Sequence, residues 1–365
     1  MATVRLTMAQ ALTRWMTAQS IEQLDGIIEP AFAGVWGIFG HGNVAGLGEA
    51  LYGVRDELPT FRGHNEQSMA HIAIAYAKQK QRRRMMAVTT SIGPGATNLA
   101  TAAALAHVNR LPVLLLPGDV FATRAPDPVL QQVESFADGT LSANDCLRPI
   151  SRYFDRVTRP EQLLQALPKA MSVLTDPADC GPVTLGLCQD VQAEAWDYPT
   201  SFLAPRIWQV RRIAPDEAEL ARAVACLKAA KRPLIIAGGG VRYSGAASAL
   251  ADFAAGAGIP VAATQAGKST LVEAHEMYVG SLGVTGASAA NSLAASADVV
   301  LAVGSRLQDF TTGSNSLIGG QVIALNIQPH DLVKHRAMPL MADALCGIEA
   351  LASGMAGYAT KGSYR

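Results

Sequence analysis

The sequence predicts an α/β protein made of two doubly wound domains, each built on a parallel sheet. Short apolar runs of strand length alternate with longer helical stretches, which is the pattern of a parallel sheet covered by helices. The pattern lapses once, where three prolines punctuate a stretch with no helical or alternating period. The length of 365 residues also fits two domains. We expect a first domain over residues 1–195, a linker over 196–215, a second domain over 216–355 and a tail over 356–365.

The chain is expected to begin with a helix. Thr7 is placed to cap it, and apolar residues then follow at helical spacing: Met8, Ala11, Leu12, Trp15 and Met16. A transit peptide is the alternative, because the first 20 residues carry two arginines and no acid. We favour the helix, which implies a cytoplasmic protein.

The remaining elements of the first domain alternate in order. Apolar runs predict strands over 34–39, 84–90, 112–116 and 181–187. Helices are predicted within 63–79, with Met69, Ile72, Ala73 and Tyr76 on one face, and over 100–107. Glycine-rich loops follow the first two strands. The second domain is expected to contain helices over 217–230 and 248–257, and strands over 233–237, 259–263, 297–304 and 321–326.

Composition excludes several classes of protein. Hydrophobic residues make up 49% and charged residues 16%, so the chain can bury a large core. Lysine plus arginine equals aspartate plus glutamate at 30 each, which argues against nucleic-acid binding. No apolar run reaches the ~18–20 residues that span a membrane. The five cysteines show no CxxC spacing and are expected to be free thiols. The low fraction of charged residues suggests that a partner covers some apolar surface.

Three motifs could carry chemistry, and each has a structural alternative. The Gly238–Gly240 turn follows a strand, but it lacks the GxGxxG pattern, so a tight turn is favoured over a nucleotide site. The loop from Ser91 to Asn98 is not a Walker loop, and turn and ligand roles are evenly balanced. Glu66 begins a helix, where a carboxyl group either complements the helix dipole or holds a proton in a poorly solvated pocket.

Two further site types find little support. His64 and His71 could share a helix face, but no third metal ligand is evident. A Ser–His–Asp hydrolase is disfavoured because the sequence contains no GxSxG elbow.

Taken together, the motifs resemble the thiamine-diphosphate enzymes of the acetolactate-synthase type. The resemblance rests on the order and spacing of three segments: NEQSMAHIAIAYA from Asn65, TTSIGPGATNL from Thr89 and RPLIIAGGG from Arg232. It implies that the first domain binds the pyrimidine ring of thiamine diphosphate and that the second is a Rossmann-like central domain. It also implies that Glu66 hydrogen-bonds the pyrimidine ring and activates the cofactor.

One branch of this family is more similar: the inositol-catabolic members that hydrolyse a carbon–carbon bond of a cyclic dione. Further segments carry this likeness: RLTMAQAL from Arg5, FGHGN from Phe39, LLPGDVFATR from Leu115, PDPVLQQ from Pro126, QDVQAEAW from Gln189, QAGKS from Gln265, GVTG from Gly283 and DFTT from Asp309. The resemblance implies a small cyclic dione as substrate. The residues it places beside cofactor or substrate, besides Glu66, are Gly40, Asn43, Ser91, Gly93, Asn98 and Gln132.

The sequence departs from the family in one respect. The third domain of the family carries a Gly-Asp-Gly motif that holds the metal and the diphosphate, and this chain contains no such motif. We therefore expect the ligands of the diphosphate and of Mg²⁺ to lie outside this chain, which would be inactive alone. We expect a homodimer or tetramer, or a partner chain that supplies the diphosphate-binding domain. The alternatives are another enzyme of the acetolactate-synthase type and a non-catalytic dimerising or regulatory module.

Overall fold

Residues 2–360 are described by a computed structural model, in which a six-stranded parallel sheet forms the centre of each of two units. The units are Met1–Val210 and Arg211–Arg365. The predicted α/β class with two parallel-sheet domains is therefore confirmed.

The first unit contains eleven strands and six α-helices among the described residues. The strands are β1 (Thr3–Thr7), β2 (Gln19–Glu22), β3 (Ile28–Pro30), β4 (Phe32–Gly37), β5 (Thr60–Arg62), β6 (Met85–Thr90), β7 (Val113–Asp119), β8 (Tyr153–Val157), β9 (Pro182–Cys188), β10 (Ala195–Pro199) and β11 (Arg206–Trp208). The helices are α1 (Met8–Thr17), α2 (Glu49–Gly53), α3 (Glu66–Gln79), α4 (Pro94–Thr97), α5 (Ala100–Asn109) and α6 (Leu163–Leu174). Short 3₁₀ or π turns lie at Val44–Gly48, Ala143–Ile150, Pro160–Gln162, Val191–Ala193 and Thr200–Leu203.

The central sheet of this unit has the strand order β5-β4-β6-β7-β9-β8, and every pair in it is parallel. Strands β6, β7 and β9 are buried along their whole length, which explains their continuous apolar runs. Each of the four predicted strands corresponds to one of the observed strands β4, β6, β7 and β9.

The predicted N-terminal helix is present as α1. The Thr7 hydroxyl accepts a hydrogen bond from the Gln10 backbone N–H, and the Gln10 side chain accepts one from the Thr7 N–H. This reciprocal capping satisfies two backbone donors that the helix itself leaves free. The apolar face of α1 enters the main core of the unit through Leu12, Trp15 and Met16.

Much of the segment expected to be a linker is structured within the first unit. Strand β10 pairs antiparallel with β1, and β11 pairs parallel with β2. Both pairings join the segment to the first 22 residues of the chain, so no local pattern could reveal them. The units divide between Val210 and Arg211, inside the expected linker.

The second unit contains strands β12 (Pro233–Ala237), β13 (Val261–Ala263), β14 (Tyr278–Ser281), β15 (Val299–Val303), β16 (Gln321–Asn326) and β17 (Met338–Met341). Its helices are α7 (Glu217–Ala229), α8 (Gly239–Tyr243), α9 (Ala247–Ala257), α10 (Ser288–Ser296), α11 (Asp309–Thr312), α12 (Pro329–Leu332) and α13 (Ala344–Gly354), with a 3₁₀ turn at Lys334–Arg336. The strand order β14-β13-β12-β15-β16-β17 is the 3-2-1-4-5-6 order of Rossmann folds. Separate apolar clusters cover the two faces of this sheet.

The Gly238–Gly240 turn of the second unit lies against the backbone of Gly304, at the end of β15. A Cβ atom on Gly238 would lie 2.6 Å from the Ser305 Cα, and one on Gly240 would lie 2.6 Å from the Gly304 Cα. Close backbone packing therefore accounts for Gly238 and Gly240, which are the N-cap and the second residue of α8.

The expected tail is partly described. Tyr358 donates a hydrogen bond to the Ala230 carbonyl, and the Thr360 N–H donates one to the Ala257 carbonyl. Both residues therefore belong to the second unit. Residues 361–365 lie outside the described part of the chain.

Candidate functional site

The strand order of the first sheet predicts a crevice at the carboxyl ends of β4 and β6. Strand β4 has β5, the next strand in the sequence, on one side and β6, the strand after that, on the other. The direction in which the sheet is built therefore reverses at β4. Ligands of open α/β sheets bind outside the carboxyl ends of strands at such a reversal. The loops that begin there are 38–43 after β4, 63–65 after β5 and 91–93 after β6. They contain or directly precede five of the seven residues expected to form the site, and a sixth, Asn98, follows the single-turn helix α4.

Glu66 is the first residue of α3. The helix begins there because the Asn65 side chain caps it, accepting a hydrogen bond from the Ser68 N–H at 2.9 Å. The Glu66 carboxylate is half-buried, and its Oε2 accepts a 2.8 Å hydrogen bond from Asn98 Nδ2. Among the described residues no donor reaches Oε1, which lies 3.2 Å from the position of a Cβ on Gly95. One carboxylate oxygen is thus fixed in place, and the other is free to bind a ligand.

The loop from Ser91 to Asn98 supports Glu66 from the neighbouring strand. It leaves β6, turns at Gly93 and forms the single-turn helix α4 before Asn98. Ser91 is buried, and its hydroxyl donates to the Gln131 side-chain oxygen at 3.4 Å. Asn98 is the C-cap residue of α4 through its backbone N–H, and its side-chain amide donates to the Glu66 carboxylate.

Gly93 has a backbone conformation that other residues rarely adopt, with φ +60° and ψ −119°. A Cβ there would also collide with the Gln131 carbonyl oxygen. Gly93→Ala is expected to lower the free energy of unfolding by about 1–3 kcal/mol or more, measured by urea denaturation. Gly53→Ala is the control, because a Cβ at Gly53 meets no atom within 4 Å. Equal stability of the two variants would contradict this account of the loop.

Asn43 holds the loop after β4 in place. It is 1% exposed, and its Oδ1 accepts from the Gly40 N–H at 3.0 Å. Its Nδ2 donates to Thr89 Oγ1 and to the Thr90 carbonyl, each at 3.0 Å. These bonds occupy the Asn43 amide, so Asn43 holds the loop in position. Gly40 lies against the Ser91 side chain, where a Cβ would collide with Oγ.

The Gln132 side chain forms hydrogen bonds within its own loop. Its Oε1 accepts from the Val129 N–H at 2.9 Å, and its Nε2 donates to Asp127 Oδ1 at 2.8 Å. The preceding residue, Gln131, contacts Ser91 and Gly93 instead. Gln131 has a left-handed backbone with φ +63°. Because the two glutamines are adjacent and lie in an irregular loop, the sequence alone could not show which of them contacts the loop after β6.

A buried ionic cluster at the carboxyl end of β7 was not anticipated from the sequence. Asp119 is 1% exposed and accepts hydrogen bonds from Arg156 Nε at 2.8 Å and from Ser142 Oγ at 2.9 Å. Gly186 leaves room for it, since a Cβ there would lie 3.1 Å from Asp119 Oδ2. The cluster ties the end of the long loop 120–142 to the sheet. A lone Asp after a strand carries no sequence signal for such a role.

Asp190 anchors the start of the same loop. Its carboxylate accepts from the backbone N–H groups of Ala122 at 2.8 Å and Thr123 at 3.1 Å. Burial by itself raises the pKa of Asp190, but these N–H donors outweigh burial and hold the pKa below its usual value. The loop that carries Gln131 is therefore fixed at both ends.

The five cysteines are free, as expected. Burial raises the pKa of Cys180, and burial together with the Asp119 charge raises the pKa of Cys188 to about 12. Both thiols are therefore protonated at neutral pH and are poor nucleophiles.

Within residues 2–360, no group of three or more His, Cys, Asp or Glu side chains is arranged to hold a metal ion. In the same range, no helix has the length and apolar character needed to cross a membrane.

Each of the two units contains a region that matches a known protein family. Residues 7–138 match the model of the thiamine pyrophosphate enzyme N-terminal TPP binding domain, and residues 220–351 match that of the central domain. The chain is 50% identical over 359 residues to the 3D-(3,5/4)-trihydroxycyclohexane-1,2-dione hydrolase of Geobacillus thermodenitrificans, covering 98% of this chain and 56% of the relative. It is 48% identical over 367 residues to the 3D-(3,5/4)-trihydroxycyclohexane-1,2-dione hydrolase 2 of Bacillus cereus, covering 100% of this chain and 57% of the relative.

The chain thus spans a little over half the length of these curated relatives. Its two matched regions together cover most of the chain, in the order expected for the family. The carboxylate at the start of α3 and the glycine loop beside it lie within the first matched region. The chain therefore belongs to the thiamine pyrophosphate (thiamine diphosphate) enzymes, of which it carries the N-terminal and central domains.

Proposed function

We propose that this chain provides the pyrimidine-binding part of an enzyme that hydrolyses 3D-(3,5/4)-trihydroxycyclohexane-1,2-dione to 5-deoxyglucuronate in myo-inositol catabolism. The half-buried Glu66 carboxylate, fixed by Asn98 at the strand-order reversal, carries this proposal. The identity of about 50% to hydrolases of this name supports the choice of substrate. A cytoplasmic location belongs to the same proposal, supported by five free thiols.

The described residues fit one half of the cofactor. Glu66 Oε1 is an acceptor in a crevice where Gly95 leaves space beside it, which suits a nitrogen of an aminopyrimidine ring. For the diphosphate and Mg²⁺ the fit is absent, because the described residues contain no cluster of metal ligands. We assign those groups to a third domain, either in a longer chain or in a partner chain. A homodimer or homotetramer is part of the proposal.

The residues of this chain bind and orient the cofactor, and they move a proton. When bound, thiamine diphosphate supplies an electron sink for carbon–carbon cleavage. Glu66 accepts or donates a proton at Oε1, while Asn98 holds Oε2 so that the carboxylate keeps one orientation. Asn43 and Gly93 fix the two loops on either side of the crevice. The site is thereby organised before a ligand arrives.

The test is calorimetric titration of thiamine diphosphate plus Mg²⁺, followed by an assay of dione hydrolysis. The chain by itself is expected to bind no cofactor and hydrolyse no dione. Fusion to the part of the Geobacillus hydrolase outside the matched region is expected to restore both. Glu66→Ala in that fusion should remove activity. Tight binding by the chain alone would contradict the assignment of the diphosphate site, and a cofactor-loaded fusion that leaves the dione intact would refute the substrate.

A further inference from the structure

Gln192 is a buried side chain that joins the end of β9 to the loop after β4. It is 1% exposed and lies in the 3₁₀ turn Val191–Ala193. Its Oε1 accepts a hydrogen bond from the Leu47 N–H at 3.1 Å, and its Nε2 donates to the carbonyls of Gly42 at 2.7 Å and Leu187 at 3.1 Å. Both polar atoms of the Gln192 side chain are therefore satisfied inside the fold.

The turn Val44–Gly48, which Gln192 contacts, is a π-helix, a rare winding that is frequent at functional sites. In an α-helix the Leu47 N–H would bond the Asn43 carbonyl, four residues earlier. Here the Gly48 N–H donates to that carbonyl at 2.9 Å, and Gln192 accepts from the Leu47 N–H instead. Gln192 therefore supplies the acceptor that the wider winding leaves out.

The segment that Gln192 holds packs directly on the loop after β6. A Cβ on Gly42 would lie 3.2 Å from the Ile92 backbone N, so the two loops touch through their backbones. The loop after β6 ends at Asn98, whose amide donates to Glu66 Oε2 at 2.8 Å. A continuous series of contacts thus runs from Gln192 to the carboxylate of the candidate site.

We propose that Gln192 is a positioning residue: it keeps the turn Val44–Gly48 in its π winding and thereby keeps Glu66 correctly oriented towards the cofactor. The inference rests on the proposed function, since it assigns a residue that acts through Glu66. Without Gln192, the Leu47 N–H would bond the Asn43 carbonyl and the turn would adopt α winding. That change would move Asn43, whose side chain bonds the end of β6.

The experiment compares Gln192→Met with Gln19→Met. Methionine fills nearly the same space as glutamine, but its thioether donates no hydrogen bond and accepts only weakly. Gln19 is the matched control, because it is also 1% exposed, donates to the Trp15 carbonyl at 2.8 Å and accepts from Trp208 Nε1 at 2.9 Å. It lies in β2, which belongs to a separate three-stranded sheet.

Urea denaturation measures the stability of both variants, and C2 proton exchange and dione hydrolysis are measured in the cofactor-saturated holoenzyme. Gln192→Met is expected to slow C2 exchange and kcat about 10–100-fold, with KM for the dione unchanged, because the acid–base group is displaced. Gln19→Met should lose a similar amount of stability, yet match the wild type in exchange and kinetics.

Gly46→Ala disturbs the same contact from the side of the turn, and it replaces Gln192→Met if that variant does not fold. A Cβ on Gly46 would collide with the Gln192 Cβ, so the side chain has to leave the turn. Gly53→Ala is its control, because a Cβ at Gly53 meets no atom within 4 Å. Gly46→Ala should slow C2 exchange as Gln192→Met does, and Gly53→Ala should not.

C2 exchange at the wild-type rate in Gln192→Met, or in Gly46→Ala where it replaces that variant, overturns the positioning role and leaves the proposed function intact. Equal slowing in Gln19→Met also overturns the role, because the effect would then come from a general loss of stability. A wild-type holoenzyme that shows no C2 exchange refutes the proposed function, and the role of Gln192 with it.

Discussion

Glu66→Gln is expected to slow C2 proton exchange of bound thiamine diphosphate by about 10²–10⁴-fold, the range of a lost general acid–base group. Glutamine has nearly the same size, and its amide oxygen can still accept the hydrogen bond from Asn98. It cannot take up or release a proton. The fold and the position of the side chain are therefore kept, and only proton transfer is lost. Exchange is measured by NMR in the holoenzyme.

Glu217→Gln is the matched control. Glu217 is the first residue of α7 in the second unit, as Glu66 is of α3, and its helix is likewise capped by the preceding residue, Asp216. A role limited to complementing the helix dipole would give both variants the same small loss of stability. We expect Glu217→Gln to leave exchange unchanged. Exchange at the wild-type rate in Glu66→Gln would show that Glu66 is no more than such a dipole partner.

Arg156→Ala is expected to lower the free energy of unfolding by about 3–5 kcal/mol, because it leaves the buried Asp119 charge without its cation. The Asp119 side chain is fully buried, and that of Arg156 is 22% exposed. Ser142 and the Val120 N–H would still donate to Asp119, but neither carries a charge. Denaturant unfolding of the variant measures the loss. The loop 120–142 should also become more open to proteolysis.

Arg5→Ala is the control for this ion pair. Arg5 bonds Asp197 at 3.1 Å, but the two side chains are 66% and 57% exposed. Water screens such a pair, so its loss should cost less than about 1 kcal/mol. If Arg156→Ala proved as mild as Arg5→Ala, Asp119 would have to be satisfied by its neutral donors alone. The position of the loop 120–142 would then not depend on the ion pair between Asp119 and Arg156.

Local patterns predicted the elements of this protein well where burial is uniform. The strands around Val88, Leu115 and Ile235 are continuous apolar runs because both faces of each sheet are covered. Helix α3 shows the limit of the same method. Ile72 was expected on its buried face, yet it is 45% exposed, and Ile74 is buried instead. Both residues are isoleucines, so the sequence does not show which of them is buried. Only the segments that pack against α3 decide this.

The residues of the candidate site also fall into two groups, those that the sequence indicates and those that only the structure reveals. The resemblance to the family named Glu66, Ser91, Gly93 and Asn98, which lie at a helix start and a glycine turn that neighbouring residues encode. Gln131 could not be chosen over Gln132, since both belong to one irregular loop. Asn43 was expected to lie beside the ligand, but its amide is occupied by hydrogen bonds within the protein.

The sequence by itself determined the fold class, the presence of two parallel-sheet domains and the carboxylate at the start of α3. These features depend on periodicity and on residues close together in the chain. The tertiary structure decided the pairing of β10 and β11 with the N-terminal segment and the Asp119–Arg156 pair. Each of these depends on which distant segments meet and on which polar groups they bury together. Such contacts have no fixed spacing along the chain, so only the folded molecule reveals them.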